Sequence, residues 1–302
     1  MNERRREVSK NTGWGFWGEE GLHFPLTRAE TKQLVRAALE EDDTMHDVTT
    51  IATVVSDRRA RCCLVARQPG VIAGIPLAAE AFRQLDPSIT IRIDHDDGSR
   101  VEENALLMYM SGHARGLLSA ERVALNFMQH LSGVATLTAK YVDAVKGTGA
   151  RILDTRKTTP LWRKLEKYAV RAGGGLNHRM DLAAAVLMKD NHIAAIDGDI
   201  NVGVRRAREI SRPGTKIEVE CDTLEQVARA MSAGADIIML DNMPPALIRE
   251  AVLMVSGQAI LEASGGVNLE SVRAIAETGV DWISVGALTH SAPALDLALD
   301  FE

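Results

Sequence analysis

Six short apolar segments in the second half of the chain each stop at a polar or glycine residue and give way to an amphipathic stretch. ARIL ends at DTRK, AAAVLM at KDNH, KIEVE at CDT, DIIML at DN, QAILEA at SGG and DWISV at GAL. With Glu220, Asp241, Ser264 and Gly286 as markers, the spacings are 21, 23 and 22 residues, one strand-plus-helix unit each. Serial βα units imply parallel strands in one sheet. Such a sheet either closes into a barrel or opens with helices on both faces. No GxGxxG fingerprint follows any of these strands, which favours a barrel, complete or with a gap.

The first part of the chain lacks that repeat. Thr27 stands as an N-cap with Glu30 at capping-box spacing, ahead of a helix through Leu34, Val35, Ala38 and Leu39. ARCCLVARQPGVIAGI reads as two strands around a turn at Gln68–Gly70, and Ile89–Asp94 alternates as a further strand before the DDGSR turn. SAERVALNFMQHLSGVATLTAKYVDAV carries apolar residues three and four apart, the helical period. Strands and helices without βα alternation describe an α+β domain. Residues 1–21, with Arg4–Arg6 and Trp14, Phe16 and Trp17 among glycines, show neither period and read as a disordered extension.

Charge is distributed unevenly. The chain carries a net charge of −6, yet Arg151–His192 holds nine lysines and arginines and two histidines against four acids. A cationic pocket within an acidic protein suits a small, multiply negative ligand; a nucleic-acid face would shift the charge of a whole domain. No apolar run approaches the roughly 20 residues of a membrane span, and MNERRREVSK is no secretory leader. The three cysteines, Cys62, Cys63 and Cys221, are too few for a disulfide framework and read as reduced thiols of a cytoplasmic protein.

Functional groups of a βα barrel project from the carboxyl ends of its strands. That rule gathers Arg156, Lys157, Lys189, Asp190, Glu218 or Glu220, Asp241, Asn242, Ser264 and Gly286 at one mouth. Arg156 offers a planar fork for a carboxylate or phosphate and Lys157 a mobile point charge. GGGLNHR sets His178 and Arg179 after three glycines, whose entropy cost implies a backbone that must approach something closely. Lys189 suits either anion binding or a Schiff base. Glu220 and Asp241 can accept hydrogen bonds from sugar hydroxyls and stand beside a hydrated Mg²⁺. Ser264–Gly266 and the turn Val285, Gly286, Ala287 are glycine-rich ends of the last two βα strands, where phosphates are commonly bound.

DTRKTTP, LEKYAVRAGGGLNHR, KDNHI, EVEC, LDN, EASGG and SVGALTHSAPALD together resemble the quinolinate phosphoribosyltransferase (nicotinate-nucleotide pyrophosphorylase) family, in register from about Leu26 to the C-terminus. The resemblance implies an α/β protein, with an N-terminal α+β sandwich over residues 22–130, completed by 289–302, and an open βα barrel over 131–288. It implies transfer of phosphoribose from phosphoribosyl pyrophosphate to quinolinate with decarboxylation, giving nicotinate mononucleotide, CO₂ and pyrophosphate in de novo NAD synthesis. Under it, Arg156, His178, Arg179 and Lys189 would bind the quinolinate carboxylates, and Lys157, beside Thr155, would face pyrophosphate and ribose. Glu220 and Asp241 would meet ribose hydroxyls and the associated Mg²⁺, which the protein alone would not hold. Ser264, Gly265, Gly266, Val285, Gly286 and Ala287 would take the 5′-phosphate, and Arg122 would reach into the neighbouring site of a homodimer. Lys157, Lys189, Glu220 and Asp241 would carry the chemistry.

Two positions depart from the family pattern. Ala172 stands where a cysteine is common, so no thiol is required there, and His46 replaces a usual glycine in a local turn. Three other readings remain: a paralogous ModD-type phosphoribosyltransferase with a different acceptor, a Schiff-base aldolase using Lys157 or Lys189, and a non-catalytic sensor of phosphorylated ligands.

Overall fold

A computed structural model describes residues 21–302; the extension read at 1–21 lies, apart from Gly21, outside the described residues. Two compact units emerge. One comprises 21–139, 159–174 and 291–302, and the other 140–158 and 175–290. The split differs from the sequence reading in two places. The first unit runs to residue 139 rather than 130, and it takes in 159–174, which the sequence pattern assigns to the βα part. Amphipathic period shows that a helix has an apolar face but not which core that face meets.

In the first unit, α1 (Arg28–Glu41) opens with the expected box: Thr27 Oγ1 accepts the Glu30 N–H at 3.2 Å and Glu30 accepts the Thr27 N–H at 2.8 Å. A short α2 (Val48–Thr53) is capped by Asp47, which accepts from Thr50 N–H. Strand β1 (Arg59–Ala66) alternates, burying Cys62, Leu64 and Ala66 while their neighbours stay partly open. That period-two burial marks a sheet with one face against a core. The sheet is antiparallel, in the order β12 (Leu297–Phe301), β1, β5 (Leu106–His113) and β3 (Thr90–Ile93), and a separate antiparallel pair joins β2 (Gly70–Val71) to β4 (Arg100–Val101). Helix α3 (Ile75–Leu85) buries Leu77, Ala78, Ala81 and Phe82. The 31-residue α4 (Ala114–Ala144) adds Leu117, Leu125, Met128 and Leu131 to the buried apolar residues. Helix α5 (Arg163–Ala172) packs closely on α4: a Cβ on Gly173 would meet Ala135 O.

The second unit holds six parallel strands: β6 (Arg151–Leu153), β7 (Val186–Met188), β8 (Ile217–Cys221), β9 (Ile237–Asp241), β10 (Ile260–Ser264) and β11 (Trp282–Ser284). Their order is β6-β11-β10-β9-β8-β7, so the sheet steps strand by strand from β7 to β11 and then to β6. Leu176 extends it by one parallel bridge beside Leu153. The strands read as nearly continuous apolar runs because both faces are covered; Ile237, Ile238, Leu240, Val219 and Ile283 have no exposed surface. The helices are α6 (Asp190–Ala194), α7 (Ile200–Ile210), α8 (Leu224–Ser232), α9 (Pro245–Val255), α10 (Val272–Ala276) and α11 (Ala287–His290). This is the mixed α/β architecture expected from the repeat, an antiparallel-sheet domain and a parallel-strand domain.

Candidate active site

The βα topology places the chemistry at the C-terminal ends of the parallel strands. Register aligns Ser264 with Asp241 and Glu220 with Met239, so β9 and β10 end level and β8 ends one residue short of them. At β8 and β9 the Glu220 carboxylate, largely buried, lies 3.4 Å from Lys189 Nζ, whose side chain is about half exposed (48%). Burial raises the pKa of Glu220 and the nearby Asp241 charge adds to it, while Lys189 pulls the other way. Lys189, Glu220 and Asp241 therefore occupy one electrostatic neighbourhood.

Asp241 leads directly into the glycine turn. Its Oδ2 accepts the Asn242 Nδ2–H at 2.7 Å, and Asn242 N–H donates to Ser264 O at 2.9 Å. Asn242 sits at φ +52° and Gly265 at φ +90°, backbone regions that L side chains rarely adopt. A Cβ on Gly265 would overlap the Asn242 amide. The turn is thus shaped so that backbone and the Asn242 amide meet without a side chain between them. At Gly286 the same logic applies more mildly: a Cβ there would come within 3.1 Å of both Lys157 Cδ and His290 Nε2. Thr289 Oγ1–H donates to Lys157 O at 2.7 Å and Thr155 Oγ1 accepts the Lys157 N–H at 3.0 Å, so the loop bearing Lys157 is tied at both sides. Val285 is buried and gives its N–H to Leu153 O, and Ala287 is partly buried.

The cationic half of the site is built on Asp154, which has no exposed surface. Its two oxygens take the His178 N–H at 2.8 Å and the Asn177 Nδ2–H at 2.6 Å. Arg179, 5% exposed, gives one guanidinium N–H to Ala185 O at 2.9 Å. Burial, and next the positive charge of Arg156, lower the pKa of Arg179. Arg156 Nε is itself buried with no protein acceptor. A buried guanidinium repelled by a half-buried one whose Nε has no protein acceptor forms a place where an anion is stabilising.

His178 is buried against two carboxylates. Nε2 faces two carboxylates without exposed surface, Glu218 Oε2 at 3.2 Å and Glu262 Oε2 at 3.5 Å, and Nδ1 accepts the Arg179 N–H at 2.8 Å. Nδ1 thus serves a backbone N–H, and Nε2 faces the two carboxylates at ion-pair distance. Burial opposes its charge, but Glu262 and Glu218 prevail and its pKa is pushed up to about 10. Glu218 is pushed up to about 7 by burial and then by the Glu262 charge, against the pull of His178 and Arg179. The bond from Arg179 N–H requires a lone pair on Nδ1, which places the proton on Nε2. In that tautomer Nε2–H points at the two carboxylates.

Sequence reasoning missed Glu262 and His290 and left Glu218 as an alternative to Glu220. The available signal was a carboxylate inside an apolar strand: Glu218 lies between Ile217 and Val219, and Glu262 between Leu261 and Ala263. Such a charge is buried and must be partnered. Arg122 belongs to the first unit, where it is exposed on α4, and is not among the residues the second unit gathers.

Comparison with known proteins places these features in a family. Residues 47–132 match the N-terminal domain of quinolinate phosphoribosyl transferase and residues 134–300 its C-terminal domain. A probable nicotinate-nucleotide pyrophosphorylase [carboxylating] of Bacillus subtilis is 40% identical over 91% of this chain and 94% of its own length. A nicotinate-nucleotide pyrophosphorylase [carboxylating] of Mycobacterium leprae is 44% identical over 89% and 96%. Among solved structures, NadC from Streptococcus pyogenes superposes with a TM-score of 0.87 at 39% identity, over 92% of this chain and 99% of that one. The nicotinate-nucleotide pyrophosphorylase of Francisella tularensis gives 0.86 at 39% identity, over 93% and 99%. With both domain models matched in order and identity sustained along nine-tenths of its length, this chain belongs to the quinolinate phosphoribosyltransferase family.

Proposed function

We propose that this protein is the carboxylating nicotinate-nucleotide pyrophosphorylase, a phosphoribosyltransferase of de novo NAD synthesis that converts quinolinate and phosphoribosyl pyrophosphate to nicotinate mononucleotide, CO₂ and pyrophosphate. The observation that carries this reading is the buried Arg179 guanidinium under the charge of a half-buried Arg156, whose Nε is itself buried and lacks a protein acceptor. A pyridine bearing two adjacent carboxylates supplies the missing acceptors, and Arg is suited to take a carboxylate in the plane of its fork.

Beside that acceptor pocket, Glu220 and Asp241 are set for ribose hydroxyls. Lys157, at the turn of Gly286, would neutralise pyrophosphate or the 5′-phosphate. The open backbones of Gly265, Gly266 and Gly286, with Ser264, would hold the phosphate. Mg²⁺ would be held chiefly by the oxygens of phosphoribosyl pyrophosphate, and two carboxylates beside a cluster of substrate phosphates is a donor set that fits it. Bound there, it would neutralise charge on the leaving group. The pyridine nitrogen carries its lone pair already, so no base is needed to start. The nitrogen bonds to C1 of the ribose as the C1–O bond to pyrophosphate breaks, and Glu220 and Asp241 stabilise the positive charge that develops on the sugar. The cationic ring nitrogen then stabilises the electron pair left on C2 as the C2–carboxylate bond breaks and CO₂ leaves, C2 takes a proton from solvent to become C–H, and Lys189 holds the neighbouring carboxylate in place.

The protein works as a homodimer in the cytosol, with Arg122 completing the partner's site. This assignment draws on the family pattern at Arg122, on its exposure in the single chain and on the three free thiols. Incubation with quinolinate, phosphoribosyl pyrophosphate and Mg²⁺, with products identified by mass spectrometry, tests the reading. Nicotinate mononucleotide and pyrophosphate are expected; a nucleotide formed from nicotinate but not from quinolinate refutes it.

A further inference from the structure

Glu218 and Glu262 are the two acidic side chains of the second unit's parallel strands with no exposed surface, and neither lies at a strand's carboxyl end. They are expensive to bury. Glu262 Oε1 accepts the Ser284 Oγ–H at 2.6 Å, while its Oε2 and Glu218 Oε2 face His178 Nε2 at 3.5 and 3.2 Å, and Glu218 Oε1 is buried without a hydrogen-bond donor. Strands β8 and β10 thus both direct a carboxylate at one imidazole. That imidazole is linked through its other nitrogen to the backbone N–H of Arg179. The His178 N–H is in turn fixed by Asp154, and the Arg179 guanidinium by Ala185 O. The chain of contacts begins in the sheet core and ends at a guanidinium of the acceptor pocket.

We propose that Glu218 and Glu262 are positioning residues of the acceptor site: they clamp the His178 ring and, through the His178–Arg179 peptide, set the guanidinium that meets a quinolinate carboxylate. This rests on the acceptor pocket proposed above. The clamp works by geometry. Nε2–H points between two strands, Nδ1 is left to receive the Arg179 N–H, and the peptide plane is thereby fixed before substrate arrives. A buried ion group kept for orientation rather than net stability is consistent with the cost of holding charge in such a place.

The test is a pair of isosteric variants, Glu218→Gln and Glu262→Gln, assayed for both substrates in the complete enzyme. Removing a charged hydrogen bond beneath Arg179 is expected to raise the KM for quinolinate about ten- to a hundredfold, with the KM for phosphoribosyl pyrophosphate within about twofold of wild type. A rise in both constants together, or none in either, overturns the proposal. Should neither variant fold, ¹⁵N spectra of the histidines in the wild-type protein decide. A His178 ring with Nε2 protonated and Nδ1 bare is expected; the opposite tautomer overturns the clamp. The same three groups also form a donor set for a divalent ion, their ligand atoms lying within 4.8 Å of one another. Stoichiometric metal in the purified wild-type protein therefore also overturns it. If the wild type makes no nicotinate mononucleotide, the function and the clamp fall together; if it does and the quinolinate KM of folded variants is unmoved, only the clamp falls.

Discussion

Replacing Gly265 by alanine tests the phosphoribosyl half of the site through two separable quantities. The residue sits at φ +90°, where an L side chain costs about 1–2 kcal/mol. Its new methyl would overlap the Asn242 amide, whose Nδ2 stands 2.8 Å from the ideal Cβ position. That amide cannot stay in place, so its 2.7 Å hydrogen bond to Asp241 Oδ2 must break. A hydrogen bond to a charged group contributes about 1.5–3 kcal/mol. The backbone strain falls on folding and should lower the melting temperature by about 2–8 °C. The broken bond bears on Asp241, a proposed ribose contact, and should reduce kcat/KM for phosphoribosyl pyrophosphate about ten- to a hundredfold. Steady-state kinetics with each substrate varied in turn, alongside a thermal melt, reads both. A variant that melts early but keeps kcat/KM for phosphoribosyl pyrophosphate would refute the link from the glycine turn through Asn242 to Asp241.

Arg179→Ala should weaken quinolinate binding by about 2–5 kcal/mol, the scale of a desolvated charge pair, and phosphoribosyl pyrophosphate binding far less; calorimetry with equal losses for the two would contradict its assignment. Arg122→Ala and Lys189→Ala should each be inactive alone, and mixing them should restore part of the activity through hybrid dimers; a verified heterodimer with no recovery counts against a shared site. In the first unit, Asp86 accepts from the backbone and side chain of Ser88 and from the backbone and ring of His113. Burial opposes its charge, but these donors hold its pKa below the usual carboxylate range. A depressed carboxylate stabilises above its unfolded value near pH 4 and loses that contribution as pH falls through the folded value. Urea midpoints should therefore drop between pH 6 and pH 3, and Asp86→Asn should flatten that dependence while lowering the midpoint at pH 6; parallel curves for the two proteins would rule Asp86 out.

What can be read from the chain is what depends on neighbours in sequence. The Thr27–Glu30 box closes within three residues, and the ends of β9 and β10 fall at Asp241 and Ser264 because each βα unit has nearly constant length. The 31 residues of α4 keep a helical period along most of their length. The segment at 159–174 falls by pattern in the βα part and by contacts in the first unit, because an amphipathic period does not say which core its apolar face meets. The surroundings of His178 are hidden for a related reason: Glu218 and Glu262 lie on strands 40 and 84 residues away in sequence, and only the fold brings them to its ring. Strand-end residues are exposed to solvent by topology and advertise themselves, whereas a carboxylate in mid-strand reveals its purpose only when its partner is known.

Strand β12, at the very end of the chain, pairs with β1 from Cys62 through Ala66, near the beginning of the described residues. A ribosome building this protein therefore delivers the strand that seals one flank of β1 long after β1 itself has emerged. Until then, β1 presents bare amides and carbonyls to whatever strand drifts past. Synthesis and self-association compete during that interval, which makes β12 a fastening for the newborn chain as much as part of the finished one.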